Sequence, residues 1–271
     1  MLSSEEELAT RAIIDALQNG RILPGIEMLR SLKENIYAAI PEKQRISRGI
    51  TWVMQHIGSL FSQTCQSTEL KEIGRLLFGN LAKEDTLLGV PIFIMGEYGK
   101  SNPPETYIFF EEVADSSDWI VREFAQAGFR PVIGASKELV SGWLKEMAVA
   151  ERPNLRRFVA ETLRPVTTNR WMNQQPEYSL DILGLLFREA HPYPRTSVGN
   201  NLSDLSRRQP ELIFENVIAL VESGDPNSYW IAYRACRNLV KNDPGRVMQI
   251  LGVGEYHYKD RNFYSQSNKK R

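Results

Sequence analysis

Residues 153–166, PNLRRFVAETLRPV, read as one amphipathic helix opening on a proline, and three other stretches repeat its pattern. These are 118–132 (DWIVREFAQAGFRPV), 194–206 (PRTSVGNNLSDLS) and 228–241 (SYWIAYRACRNLVK). Aligned, they make Phe129, Leu163, Leu202 and Leu239 equivalent, at spacings of 34, 39 and 37 residues. Four residues before these stand Ala125, Val159, Val198 and Ala235. A separation of four is one helical turn, so each pair lies on one face and that face is apolar. Between the four stretches lie other helix-period patterns, at 137–149, 178–190 and 211–222. The repeating unit is therefore a pair of helices about 40 residues long.

A helix pair with a single apolar stripe can bury it only against a neighbouring pair, which predicts a stack. The fold class expected is all-α, a HEAT/ARM-like α-α superhelical solenoid of antiparallel helix pairs without strands. One domain is expected over 1–253, with an irregular helical part at 1–115 and regular repeats at 116–253. A polar, basic tail is expected at 254–271. Helix starts are marked by Pro24, Pro41, Pro103, Pro176, Pro210, Pro226 and Pro244, because a first-turn proline forfeits no helical hydrogen bond. The first helix is expected to be capped by Ser4, with Glu7 completing a capping box, and to stop at Gly20. About fourteen helices result at ordinary helix lengths. Trp119 and Trp230 are expected to pack inside repeats.

With 33 basic and 33 acidic side chains the formal charge is zero, so any attraction for nucleic acid has to be local. His56, His191 and His257 stand apart from one another and from Cys65 and Cys236, so no metal site and no cofactor are expected. The longest apolar run, 87–95, is too short to cross a bilayer, and the acidic start MLSSEEELAT is unlike a secretory leader. Two distant cysteines fit a reducing, cytoplasmic setting.

The second helix of each pair lines the ligand-binding face of such a stack. Here those helices and their ends carry Arg122, Arg130, Arg156, Arg157, Arg164, Arg207, Arg208, Arg234, Arg237 and Lys241, with Arg170 and Arg195 beside turns. A neutral chain with one arginine-lined groove could hold a phosphate backbone there. The competing reading is a structural ladder of ion pairs between repeats. Glu123, Glu161 and Asp204 interrupt the basic strip, on successive second helices. Carboxylates repel phosphate, so among arginines they ask for a cationic ligand or serve as structural partners. Trp171, in the polar loop TTNRWMN, is the aromatic best placed to meet a base.

The run Ala160-Glu161-Thr162-Leu163-Arg164-Pro165, followed by Trp171, resembles a Ser-Glu-Gly-x-Arg-Pro…Trp segment of AlkC-type alkylation-repair glycosylases. The run 197–205, SVGNNLSDL, is similar to their Ser-Val-Ala-Asn-x-Leu-Asn-Asp-Ile, and 229–252 to their Arg-Trp-Ile…Leu-Val-Lys…Leu-Gly ending. The likeness spans 115–253. It implies a DNA glycosylase that removes N-alkylated, positively charged bases in base excision repair, a monomer acting on double-stranded DNA in the bacterial cytoplasm and nucleoid. Glu161 and Asp204 would be catalytic acids. Glu123 is a third if Glu-Phe-Ala sets the register; if Arg-Pro sets it, Gln126 occupies that place. Trp171, Arg157, Arg164, Arg170, Asn200, Arg234, Arg237 and Lys241 would contact substrate or DNA. A non-catalytic DNA-binding protein and a protein–protein scaffold are the alternatives.

Overall fold

The computed structural model describes residues 4–83 and 85–257. Among them are fourteen α-helices and no strand. They fall into two compact units, Met1–Val140 and Ser141–Arg271.

The first unit holds α1 (Ser4–Gln18), α2 (Ile22–Ala39), α3 (Ile50–Thr64), α4 (Ser67–Asn80), α5 (Gly89–Gly99), α6 (Tyr107–Ala114) and α7 (Trp119–Ala135). Its centre is α5, which contains most of the long apolar run and buries every residue except Glu97. A helix buried all round has to be approached closely on several sides, and glycine permits this. A methyl added at Gly96 would run into the Gly128 carbonyl oxygen of α7, and one at Gly58 of α3 would come within 2.6 Å of Phe93 Cβ. Ser4 is already helical, and Glu7 pairs with Arg11 at 2.8 Å instead of returning to a cap. Gly20 ends α1 as expected, at φ +72°.

α8 (Lys137–Ala148) carries the chain across the boundary. The second unit then contains α9 (Pro153–Thr162), α10 (Pro176–Leu183), α11 (Pro192–Leu205), α12 (Pro210–Glu222), α13 (Pro226–Leu239) and α14 (Pro244–Leu251), each opening on proline. α11 packs between α9 and α13, while α12 lies against α11 and α13, and α14 against α12 and α13. This is the two-layer helix-pair arrangement that the repeat predicts. Ala125, Val159, Val198 and Ala235 are all fully buried, as are Phe129, Leu163 and Leu202.

Two buried amides join the inner row. Asn201 Nδ2 donates to the Ala160 carbonyl at 2.8 Å, and Asn238 Nδ2 to the Ser203 carbonyl at 2.7 Å. The helix expected over 178–190 is shorter: α10 tightens into a 3₁₀ turn at Gly184–Leu186. The following turn is tied down by Glu189, which accepts from Arg156 Nε at 2.6 Å and from the His191 amide at 2.8 Å.

Trp119 corrects an expectation. It opens α7 and is 63% exposed, because the buried stripe of that helix runs through Val121, Phe124, Ala125, Gly128 and Val132, on the face opposite Trp119. The start of the tail, by contrast, is held: Tyr256 stacks on Tyr233 at 4.6 Å between ring centroids, and its hydroxyl donates to the Tyr233 carbonyl. The remainder of the tail, 258–271, lies outside the described residues.

Gly96→Ala should lower the unfolding free energy by about 1–3 kcal/mol, since the clash is with backbone and no rotamer relieves it. Gly142→Ala, in α8 with open space around it, should raise it by about 0.5–1 kcal/mol. Urea titrations of the two variants against the parent chain check both signs.

Candidate nucleic-acid interface

Glu161 and Asp204 occupy the same place in their helices, one residue before the last of α9 and of α11. Arg164 joins them. Its Nη1 donates to Glu161 Oε2 at 3.0 Å, and its Nε and Nη2 donate to Asp204 Oδ2 at 2.9 and 2.5 Å. Burial works against the charge of Arg164, but the two carboxylates outweigh it and hold the guanidinium pKa above its ordinary value.

The two acids differ in surroundings. The Glu161 side chain is 5% exposed; its Oε1 accepts from Ser197 Oγ at 2.6 Å and lies 3.9 Å from Arg157 Nη2. Ser197 stands seven residues, two turns, before Asp204 and therefore on the same face of α11. The Asp204 side chain is 14% exposed, and its Oδ1 has Arg237 Nη2 at 3.6 Å and Arg207 Nη2 at 3.7 Å.

Asp204 forms part of the wall of an open cleft of about 670 Å³, lined by Arg164, Thr167, Arg170, Asn173, Arg207 and Arg208, with Pro165 and Val166. Four guanidiniums face one carboxylate there. Such a surplus in a net-neutral chain is a local anion site, and its donors suit phosphate oxygens. Basic residues also follow the inner helices at a fixed interval. Lys137, Arg164, Arg207 and Lys241 each come two residues after the last residue of α7, α9, α11 and α13.

The other candidate residues have these surroundings. Asn200 Oδ1 accepts from Arg234 Nε at 2.9 Å and Arg237 Nη1 at 3.5 Å. Arg157 is buried, its guanidinium 4.6 Å from the Tyr193 ring centroid. Lys241 Nζ donates to Asn238 Oδ1 at 3.1 Å. Arg170 is exposed on the cleft wall. Trp171 is not among the residues lining the cleft; its ring meets Tyr178 edge-on at 5.2 Å. Glu123 lies on α7 in the first unit, where its Oε2 accepts from Gln126 Nε2 at 2.6 Å. Trp230 is half-buried, with the guanidiniums of Arg195 and Arg234 at 4.7 and 5.5 Å from its ring centroid. The cleft also contains Thr167 and Asn173, which the sequence did not single out because nothing local distinguishes them from turn residues.

No family model matches the chain. The Bacillus subtilis protein YhaZ, itself uncharacterised, is 26% identical over 162 residues, 58% of this chain and 43% of YhaZ. The chain thus spans less than half the length of that curated relative. Among solved structures, Streptococcus mutans AlkD2 aligns over 71% of this chain and 95% of its own, with TM-score 0.57 and 16% identity. Pseudomonas fluorescens alkylpurine DNA glycosylase AlkC, bound to DNA containing an abasic site analog, aligns over 93% of this chain and 69% of its own, with TM-score 0.53 and 19% identity. The chain has the AlkC and AlkD2 fold. A third structure, smu.31 from Streptococcus mutans, aligns over 68% of the chain and 90% of its own, with TM-score 0.56 and 19% identity.

Within this fold, the Glu161–Arg164–Asp204 cluster also carries structural weight. Arg164→Gln leaves the buried Glu161 carboxylate short of a partner and should cost about 2–3 kcal/mol of unfolding free energy. Adding Glu161→Gln should recover most of that loss, because the unpaired charge is gone. Chemical denaturation of the single and double variants measures the recovery.

Proposed function

We propose that this chain is a DNA glycosylase that removes N-alkylated, positively charged bases from duplex DNA. The observation that carries the reading is Asp204: a carboxylate on the wall of an arginine-lined cleft, at a position matching the acid of the resembling family. The fold shared with AlkC and AlkD2 supports it.

The chemistry matches this charge arrangement. A base alkylated on a ring nitrogen already carries positive charge, so it leaves with little acid assistance. Breaking its bond builds positive character on the sugar, and a nearby carboxylate stabilises that charge or positions the attacking water. In this reading Asp204 is the carboxylate that faces substrate. Glu161 holds Arg164 and, through Ser197, the register of the acids. Arg170, Arg207 and Arg208 hold backbone phosphates, with Asn200, Arg234, Arg237 and Lys241 extending that contact along the inner helices. Trp171, next to Arg170 in sequence, packs edge-on on Tyr178 outside the cleft lining and would have to turn toward the cleft to meet a base or sugar. Arg157, buried beside Tyr193, acts as a support for Glu161. One observation favours the alternative of DNA binding without excision: the Asp204 carboxylate is ion-paired with Arg164.

Duplex affinity should fall with salt by about 0.9 log unit per log unit of salt for each phosphate contacted, and Arg170→Ala or Arg208→Ala should flatten that slope by one contact while weakening all sequences alike. Titrations from low to physiological salt test this, and a salt-independent affinity would remove the cleft from the reading. Asp204→Asn should slow single-turnover release of 3-methyladenine or 7-methylguanine by roughly tenfold to a thousandfold, without loss of DNA affinity. If the parent chain releases no alkylated base while binding DNA, the non-catalytic alternative holds.

A further inference from the structure

Of the charges gathered at the ends of α9 and α11, Arg164 can turn its Nε–Nη2 edge from Asp204 toward the cleft while its Nη1 keeps Glu161. Glu161 keeps Ser197 Oγ at 2.6 Å and Arg157 Nη2 at 3.9 Å independently of Arg164. Arg164 lines the cleft, and both of its bonds to Asp204 run to a single oxygen, Oδ2. The second Asp204 oxygen has guanidiniums at 3.6 and 3.7 Å, too far for hydrogen bonds. The Nε–Nη2 edge of an arginine is a planar fork that fits a phosphate as well as a carboxylate. A phosphodiester entering the cleft therefore competes with Asp204 for the same donors. Exchanging one charge-assisted contact for another is close to balanced. Arg170, Arg207 and Arg208 on the same wall supply the surplus attraction that tips it.

The geometry points to Arg164 as an exchangeable counter-ion: it covers Asp204 in the DNA-free protein, and a backbone phosphate bound in the cleft draws it off. The inference rests on the reading of the cleft as a duplex-binding site and adds how that site is regulated. Asp204 becomes an uncovered carboxylate only when DNA is in place. Until then its charge is masked, which lowers its repulsion of the approaching phosphates. Arg164 is thus a positioning residue that decides when Asp204 is available.

A double-mutant cycle on affinity for an undamaged duplex separates this from simpler readings. The proteins are the parent, Asp204→Asn, Arg164→Gln and the double variant, measured by fluorescence anisotropy at one fixed salt concentration. With exchange, Asp204→Asn frees Arg164 for phosphate and tightens binding by about tenfold in the parent. In the Arg164→Gln background the same substitution should tighten binding at least about threefold less than in the parent, because only relief of repulsion and release of Arg207 and Arg237 remain. Equal tightening in both backgrounds would mean that Asp204 merely repels phosphate, and it overturns the exchange while leaving the cleft as a DNA site. No tightening in the parent overturns it as well. Failure of the parent to bind duplex at low salt removes the functional reading itself, and the exchange with it. Should Arg164→Gln fail to fold, the cycle is run with Glu161→Gln in all four proteins, which removes the buried charge, and the expected pattern is unchanged.

Discussion

Asn201 and Asn238 each send a side-chain amide across to a carbonyl in the last turn of the preceding inner helix, and both bonds are buried. Carbonyls there have lost their intrahelical donors and need another partner. The amides supply it, and because a buried hydrogen bond is costly to leave unmade, they fix how far α9, α11 and α13 can slide past one another. A slip of one turn would carry Asp204 about 5 Å along its axis and out of reach of Arg164. The meeting of Glu161, Arg164 and Asp204 thus depends on Asn201, an uncharged side chain, and the approach of Arg237 to Asp204 depends on Asn238. The apolar stripe of Val159, Val198 and Ala235 supplies the burial, while the amides decide the alignment.

The parts legible in the sequence are those with a period. Leu163, Leu202 and Leu239 recur at the repeat length, and the prolines mark all six helix starts of the second unit. Asp204 and Glu161 stood out because carboxylates are unexpected in a basic strip. The pairings themselves were not legible: Ser197 meets Glu161 across 36 residues and Arg164 meets Asp204 across 40. Such contacts depend on the stagger between helices, which a single-helix pattern does not contain. Trp119 shows the same limit from the other side, for its place on the face of α7 opposite the buried stripe, not its hydrophobicity, decides its exposure. The first unit was harder to read because α5 is apolar on every face and so carries no stripe from which an orientation could be deduced.

The two readings set against each other for the arginines, a proposed phosphate groove and a ladder of ion pairs, fall on different residues. Arg156 belongs to the ladder: its bidentate contact with buried Glu189 ties a turn and leaves it little freedom. Arg170 and Arg208 belong to the groove, exposed along the cleft. Arg164 belongs to both.

The interval that places Lys137, Arg164, Arg207 and Lys241 two residues beyond their helices has an electrostatic meaning. Aligned peptide dipoles leave the C-terminal end of a helix with about half a negative charge, and a cation near it gains roughly 0.3–1 kcal/mol. Arg164, Arg207 and Lys241 therefore have a backbone counter-charge that is present before any ligand arrives, whereas Lys137 also opens α8 and meets the positive end of that helix. Cations at the ends of adjacent helices of the second unit would otherwise repel one another. Because the compensation comes from the main chain, substitutions elsewhere on the surface cannot remove it, and it persists when Arg164 lets go of Asp204.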